Sequence, residues 1–154
     1  CGLDANISRL ANWIRRFGFM PVNGQAAGLR QPVHAGDLAE IAIRAMLSES
    51  HLPEVLTVAG GETLSYAEMV SRVFPALGKP VRLLRLPEWL FVLTVKIVGL
   101  FRSDDVLNAE MVRRQAFDLV FDDQPARELL NYKPRPFVLR EADFSKPDFG
   151  NQTQ

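Results

Sequence analysis

The sequence predicts a mixed α/β (α+β) domain of about four short strands and five to six helices. Three observations carry that expectation. Runs with strand patterning alternate with stripes at helical spacing through much of the 154 residues. Helix starts and stops are punctuated by capping residues and glycines. The chain is 47% hydrophobic and 23% charged, enough apolar material for one real core.

The first expected helix runs from Asn6 to Phe17. Ile7, Leu10, Ile14 and Phe17 recur on one face, Arg9, Arg15 and Arg16 interleave, and Gly18 ends it. Phe19 to Val22 reads as a strand, turned by Asn23-Gly24. Leu29 to Ala35 reads as a second strand. A helix follows with Asp37 as its cap and Glu40 completing a capping box, its buried stripe being Leu38, Ile41, Ala42, Ala45 and Met46. Val55 to Val58 is a β-branched strand candidate broken by Gly60-Gly61.

Ser65 and Glu68 form another capping box, opening a helix through Met69, Val70, Val73, Phe74 and Leu77. Pro75 predicts a kink or an early end there, and Gly78 and Pro80 close the region. Val81 to Leu86 is the fourth strand. Helices are expected near Asn108–Phe117 and Gln124–Leu130, with a proline-marked loop beyond. One domain over residues 1–147 with a disordered tail at 148–154 is the expected organisation.

Charge and composition exclude several functions. Lys plus Arg equals Asp plus Glu, at 18 each, and no basic stripe with interleaved aromatics appears, so no nucleic-acid partner is expected. The lone cysteine, Cys1, cannot form an internal disulfide. The apolar run Trp89 to Phe101 spans about 20 Å as a helix, short of the ~30 Å of a bilayer core, so no transmembrane segment is expected. That run reads as a core or domain-interface helix, a lid, an interfacial anchor or a dimer face. The first residue is Cys1, not Met, and the chain is expected to be part of a longer protein. The expected location is cytoplasmic, with a position peripheral to a membrane as the alternative.

No complete catalytic constellation is present. No G-x-G-x-x-G stands between a strand and a helix, so no backbone cradle for a pyrophosphate is available. No Tyr-x-x-x-Lys pair exists: Val70 lies four after Tyr66, and Pro136 four after Tyr132. His34 and His51 have no cysteine partners at zinc spacing, so no metal site is expected.

Three stretches, in order, carry a resemblance. Arg30-Gln31-Pro32-Val33-His34-Ala35-Gly36-Asp37-Leu38-Ala39 is the first. The second runs from Leu56 through Ala59-Gly60-Gly61-Glu62 and Ser65-Tyr66 to Val70. The third runs from Phe121 through Ala126-Arg127 and Asn131-Tyr132 to Pro134-Arg135-Pro136-Phe137. Together they resemble the C-terminal half of extended and atypical short-chain dehydrogenase/reductases, the NAD-dependent epimerase/dehydratase family.

The resemblance implies the C-terminal, substrate-binding portion of a Rossmann-type enzyme. The glycine fingerprint, the Tyr/Lys pair and the NAD or NADP site would belong to an N-terminal half, so no cofactor is expected on this portion. The implied parent is an epimerase, dehydratase or related reductase acting on a small molecule, a nucleotide sugar in many members. This portion alone is expected to be inactive. The alternative is a non-catalytic binding or assembly module holding a quinone, lipid or protein partner.

In nucleotide-sugar members an Asn at the start of the first helix and the Arg before the His segment contact substrate, the Arg through its diphosphate. Those positions correspond to Asn6 and Arg30, and a guanidinium fork suits phosphate. The family's later phosphate-binding Arg has no clear match. Each candidate keeps a second reading: Asn6 as a helix cap, Arg30 as a strand-end ion pair, and His34, the third candidate, as a structural hydrogen-bonding residue.

Overall fold

The computed structural model describes residues 5–93 and 117–144, with side chains from Ile7 onward. Helix α1, Ala5–Phe17, buries Leu10, Ala11 and Ile14. Gly18 closes it at φ +74°, its N–H donating to the Ile14 carbonyl at 2.9 Å. Lys79 Nζ completes the cap, donating to the carbonyls of Ile14 at 3.1 Å and Arg15 at 2.7 Å. A cation at a helix C-terminus is stabilising because it meets the negative end of the dipole.

Strand β1, Met20–Asn23, pairs with β4, Leu83–Leu86, in parallel, from Met20 opposite Leu83 to Asn23 opposite Leu86. A parallel pair needs a long crossover, and everything from Gly24 to Arg82 supplies it. Strand β2, Leu29–Arg30, pairs antiparallel with β3, Leu64–Ser65. On β2, Leu119 forms an isolated parallel bridge to Arg30, its N–H donating to Leu29 O at 2.8 Å.

Helix α2 is Ala35–Leu47 and α3 is Tyr66–Ala76. Helix α3 opens with the expected capping box: Ser65 Oγ accepts from Glu68 N, and Glu68 Oε2 accepts from Ser65 N. Pro75 is its penultimate residue, and the helix ends just beyond it at the left-handed Gly78 (φ +67°), with Gly78 N donating to Pro75 O at 2.9 Å and Lys79 N to Phe74 O at 3.0 Å. Met69, Val70, Val73 and Phe74 of α3 pack with Leu10, Ile14, Met20 and Val22 into the main core. Helix α4, Gln124–Leu130, ends on Asn131 at φ 49°. Its Ala126 and Leu130 join Ile41 of α2 and Tyr132 in a second cluster. A short 3-10 turn covers Glu141–Phe144.

The structure departs from the sequence reading in several places. Strand β2 is two residues long, because Pro32 has no N–H for a ladder and His34 turns into α2. Val55–Val58 joins no ladder. Leu56 and Val58 instead pack against the second cluster, and Leu64–Ser65 takes the place beside β2. β-propensity reports a fit to a half-buried surface, and a packed coil met that need as well. On α2 only Ile41 of the expected stripe is buried, while Leu38 and Met46 stay exposed, because α2 is packed along a single side. The Trp89–Phe101 run begins as a helix at 88–93, with Phe91 buried and Trp89 exposed. The rest of that run, most of the helix expected at Asn108–Phe117, and the tail beyond residue 144 lie outside the described residues.

Candidate functional site

The site grows from the link between β2 and α2. His34, not Asp37, is the N-cap of α2: its backbone is extended and its Nδ1 accepts from Gly36 N at 3.0 Å. With Nδ1 accepting, a neutral ring carries its proton on Nε2. Asp37 therefore sits inside the first turn, and Glu40 pairs with Arg44 instead of closing a box. This corrects the expected Asp37/Glu40 cap; side-chain geometry three residues earlier had already satisfied the helix start.

Asp37 has a different task. Its carboxylate is buried, and it grips residue 135 twice: Oδ1 accepts from Arg135 Nε at 2.7 Å and Oδ2 from Arg135 N at 3.0 Å. The first and third motif segments are thereby joined across 98 residues. The second segment locks against both. A Cβ on Gly60 would lie 2.0 Å from Pro32 O, and one on Gly61 would lie 2.6 Å from Pro134 O, so only glycine fits at either place. Tyr132 donates its hydroxyl to Ala59 O at 3.0 Å.

Glu62 finishes the interlock. Its two oxygens accept from Arg72 Nη1 and Nη2 at 2.9 Å each, and Oε1 also accepts from Phe137 N at 2.7 Å. Arg72 Nη1 donates in turn to Phe137 O at 2.8 Å. The Arg72 hydrogen bonds hold the Glu62 carboxyl below the ordinary carboxylate range, helped by the Phe137 N–H and opposed by burial.

A cleft of about 220 Å³ opens where this interlock meets α1. Ile7 and Ser8 form one wall and the Pro32–Ala35 link with Leu38 a second. The third wall is the 135–139 segment with Asp143 and Phe144. The lining is mainly apolar, with Ser8, His34, Arg135 and Asp143 as its polar members.

The three candidates fare differently. His34 lines the cleft. Asn6 stands in the first turn of α1 beside the lining residues Ile7 and Ser8, but its side chain lies outside the described residues. Arg30 does not line the cleft. Its Nη1 donates to the carbonyls of Leu29 and Phe117, both at 2.6 Å, and its guanidinium lies 5.9 Å from the centroid of the Tyr66 ring. Burial pushes the Tyr66 phenol far above its ordinary value, against the pull of the Arg30 charge. Sequence reading missed Arg135 and Phe137 as cleft residues, although the third motif contained both. Asp143 and Phe144 carried no local signal at all.

Among the described residues no group of three metal-ligating side chains converges, and no helix is long and apolar enough to cross a membrane. The sequence contains no G-x-G-x-x-G pattern of the kind that cradles a dinucleotide's pyrophosphate.

The described fold is that of Rossmann-type epimerases and reductases. It is similar to UDP-glucuronic acid 4-epimerase from Bacillus cereus, solved with UDP-glucuronic acid and NAD, with TM-score 0.57 and 16% identity, covering 87% of this chain and 36% of that one. It is also similar to an NADPH-dependent quinone oxidoreductase from Escherichia coli, solved with NADPH, with TM-score 0.52 and 23% identity, covering 84% of this chain and 45% of that one. In sequence it is 26% identical over 140 residues to UDP-glucose 4-epimerase of Vibrio cholerae, covering 91% of this chain and 40% of the relative. No protein-family profile matches the chain. In fold and in sequence the chain is similar to the C-terminal parts of these epimerases and reductases. It spans less than half the length of these relatives.

Proposed function

We propose that this chain is the substrate-binding portion of an NAD(P)-dependent epimerase, dehydratase or reductase. The observation that supports the reading is that the first and third motif segments line one cleft and the second locks against both, through Asp37–Arg135, Gly60–Pro32 and Glu62–Phe137. Residues spread over most of the sequence are spent on shaping a concave surface with His34 at its rim. The nicotinamide nucleotide, held by a separate nucleotide-binding part, would supply the redox chemistry; this portion orients the substrate. Substrate access from the cytoplasm fits the reading, and a nucleotide sugar and a smaller carbonyl compound are the two substrate classes it admits.

Two measurements test it together. The coding sequence ahead of Cys1 should encode a glycine-rich strand–turn–helix, and the longer product should quench NADH or NADPH fluorescence saturably. The 154-residue chain alone should show no such binding. Stoichiometric nucleotide uptake by the chain alone, or a longer product with no nucleotide binding, defeats the proposal.

A further inference from the structure

The charge and size of the cleft restrict what enters it; this inference rests on the substrate-binding reading and sharpens it. Two full charges line the cleft, Arg135 and Asp143. Arg135 is already clamped by the buried Asp37 carboxylate through Nε and its backbone N–H. Asp143 Oδ2 accepts from Arg140 N at 2.7 Å. Beyond the lining, Arg15 lies over the outer Phe144 ring at 5.7 Å. Counted together among the described residues, two cations stand with two carboxylates, so these side chains leave no surplus positive charge at the cleft.

A diphosphate entering here would bring about two negative charges into a mainly apolar wall, and an uncompensated buried charge costs several kcal/mol. Arg30, the position that family resemblance assigns to a diphosphate, lies outside the lining and is spent on the carbonyls of Leu29 and Phe117. Size points the same way. An apolar cavity of about 150 Å³ accepts one benzene ring, whereas drug-sized ligands occupy about 300–1,000 Å³. At about 220 Å³ the cleft matches one substituted ring more closely than a nucleotide.

We propose that the cleft between α1, the start of α2 and residues 135–144 binds the neutral, apolar ring of a small molecule, with Leu38 and Phe137 among its contacts and His34 at its polar rim. The matched probes are acetophenone, a neutral one-ring ketone, benzoate, the same ring carrying an anion, and UDP-glucose. In amide NMR titrations of the chain, acetophenone should shift the signals of Val33, Ala35, Leu38 and Val138. Benzoate should bind there at least about tenfold more weakly, and UDP-glucose should leave those signals in place.

Leu38→Glu places a carboxylate on the rim at a half-exposed position that the core does not need. It should weaken acetophenone binding about tenfold or more with an unchanged amide spectrum elsewhere. Val138→Glu, at another exposed lining residue, should act the same way. Binding of benzoate or UDP-glucose to these residues as tight as that of acetophenone overturns the inference while leaving the substrate-binding reading intact. Absence of acetophenone shifts, or binding indifferent to both substitutions, overturns it as well; the reading itself falls only by the cofactor measurements above.

Discussion

Replacing Asp37 by alanine removes a buried side chain that joins the first and third motif segments. Two charge-assisted hydrogen bonds disappear, to Arg135 Nε at 2.7 Å and to Arg135 N at 3.0 Å. In a dry interior each would be worth about 1.5–3 kcal/mol. The Arg135 side chain is 52% exposed, however, so its guanidinium regains water and that half shrinks to about 1 kcal/mol. The backbone N–H is only partly buried and loses a charged acceptor, about 1.5–2 kcal/mol. Asp37→Ala should therefore cost about 2.5–3 kcal/mol, or roughly 5–12 °C in Tm for a chain of this size. Urea unfolding followed by circular dichroism measures the first number and thermal unfolding the second. Asp37→Asn, which keeps an uncharged acceptor, should fall between the variant and the parent. Once Asp37 is gone, Arg135→Ala should add less than about 0.5 kcal/mol, because its partner is already missing. A cost below about 1 kcal/mol for Asp37→Ala, or full additivity of the two substitutions, refutes the idea that this contact holds the segments together.

Two tyrosines should answer oppositely to phenylalanine. Tyr132→Phe strands the Ala59 carbonyl and should lose about 1 kcal/mol, whereas the Tyr66 hydroxyl is buried without a partner, so Tyr66→Phe should be neutral or stabilising in the same urea titration. Gly60→Ala must push Cβ into Pro32 O and should cost about 3 kcal/mol or prevent folding; Gly78→Ala, at φ +67° with nothing within 4 Å, should cost only about 1 kcal/mol. Equal costs at the two glycines would argue against the close approach. The Glu62 carboxyl is depressed in the folded chain, so its contribution is fully present above the unfolded value, near 4.5, and is lost as pH falls through the lower folded value. Glu62→Gln should flatten the fall of the urea midpoint below about pH 4.5, leaving the share due to Glu68, which is depressed by its bonds to Ser65; an unchanged slope contradicts this.

Much of the fold was written locally. The Ser65/Glu68 box, the Gly18 stop and the end of α3 at Gly78 each depend on residues within about five positions, and a short window contains both partners. Helix α4 was legible for the same reason, with Pro125 in its first turn and Asn131 at its end. The three motifs likewise named the segments that turn out to touch. What they could not name was the contacts. Asp37 and Glu40 satisfy the pattern of a capping box, yet His34 took the cap, because Asp37 found Arg135 at the far end of the chain. Gly60 and Gly61 read as a strand breaker, and their reason emerged only from Pro32 and Pro134 lying against them. Of the candidate site, His34 reached the cleft and Arg30 was drawn off by two carbonyls.

The sequence by itself determined the bounds of α1, α3 and α4 to within a residue or two and which three segments touch, since propensities, caps and turns act over one helical turn. Tertiary structure alone decided which charge meets which, whether Val55–Val58 joins a sheet, and what the cleft admits. Those outcomes depend on groups tens of residues apart competing for the same buried hydrogen bonds and apolar contacts, a competition that spacing along the chain does not record.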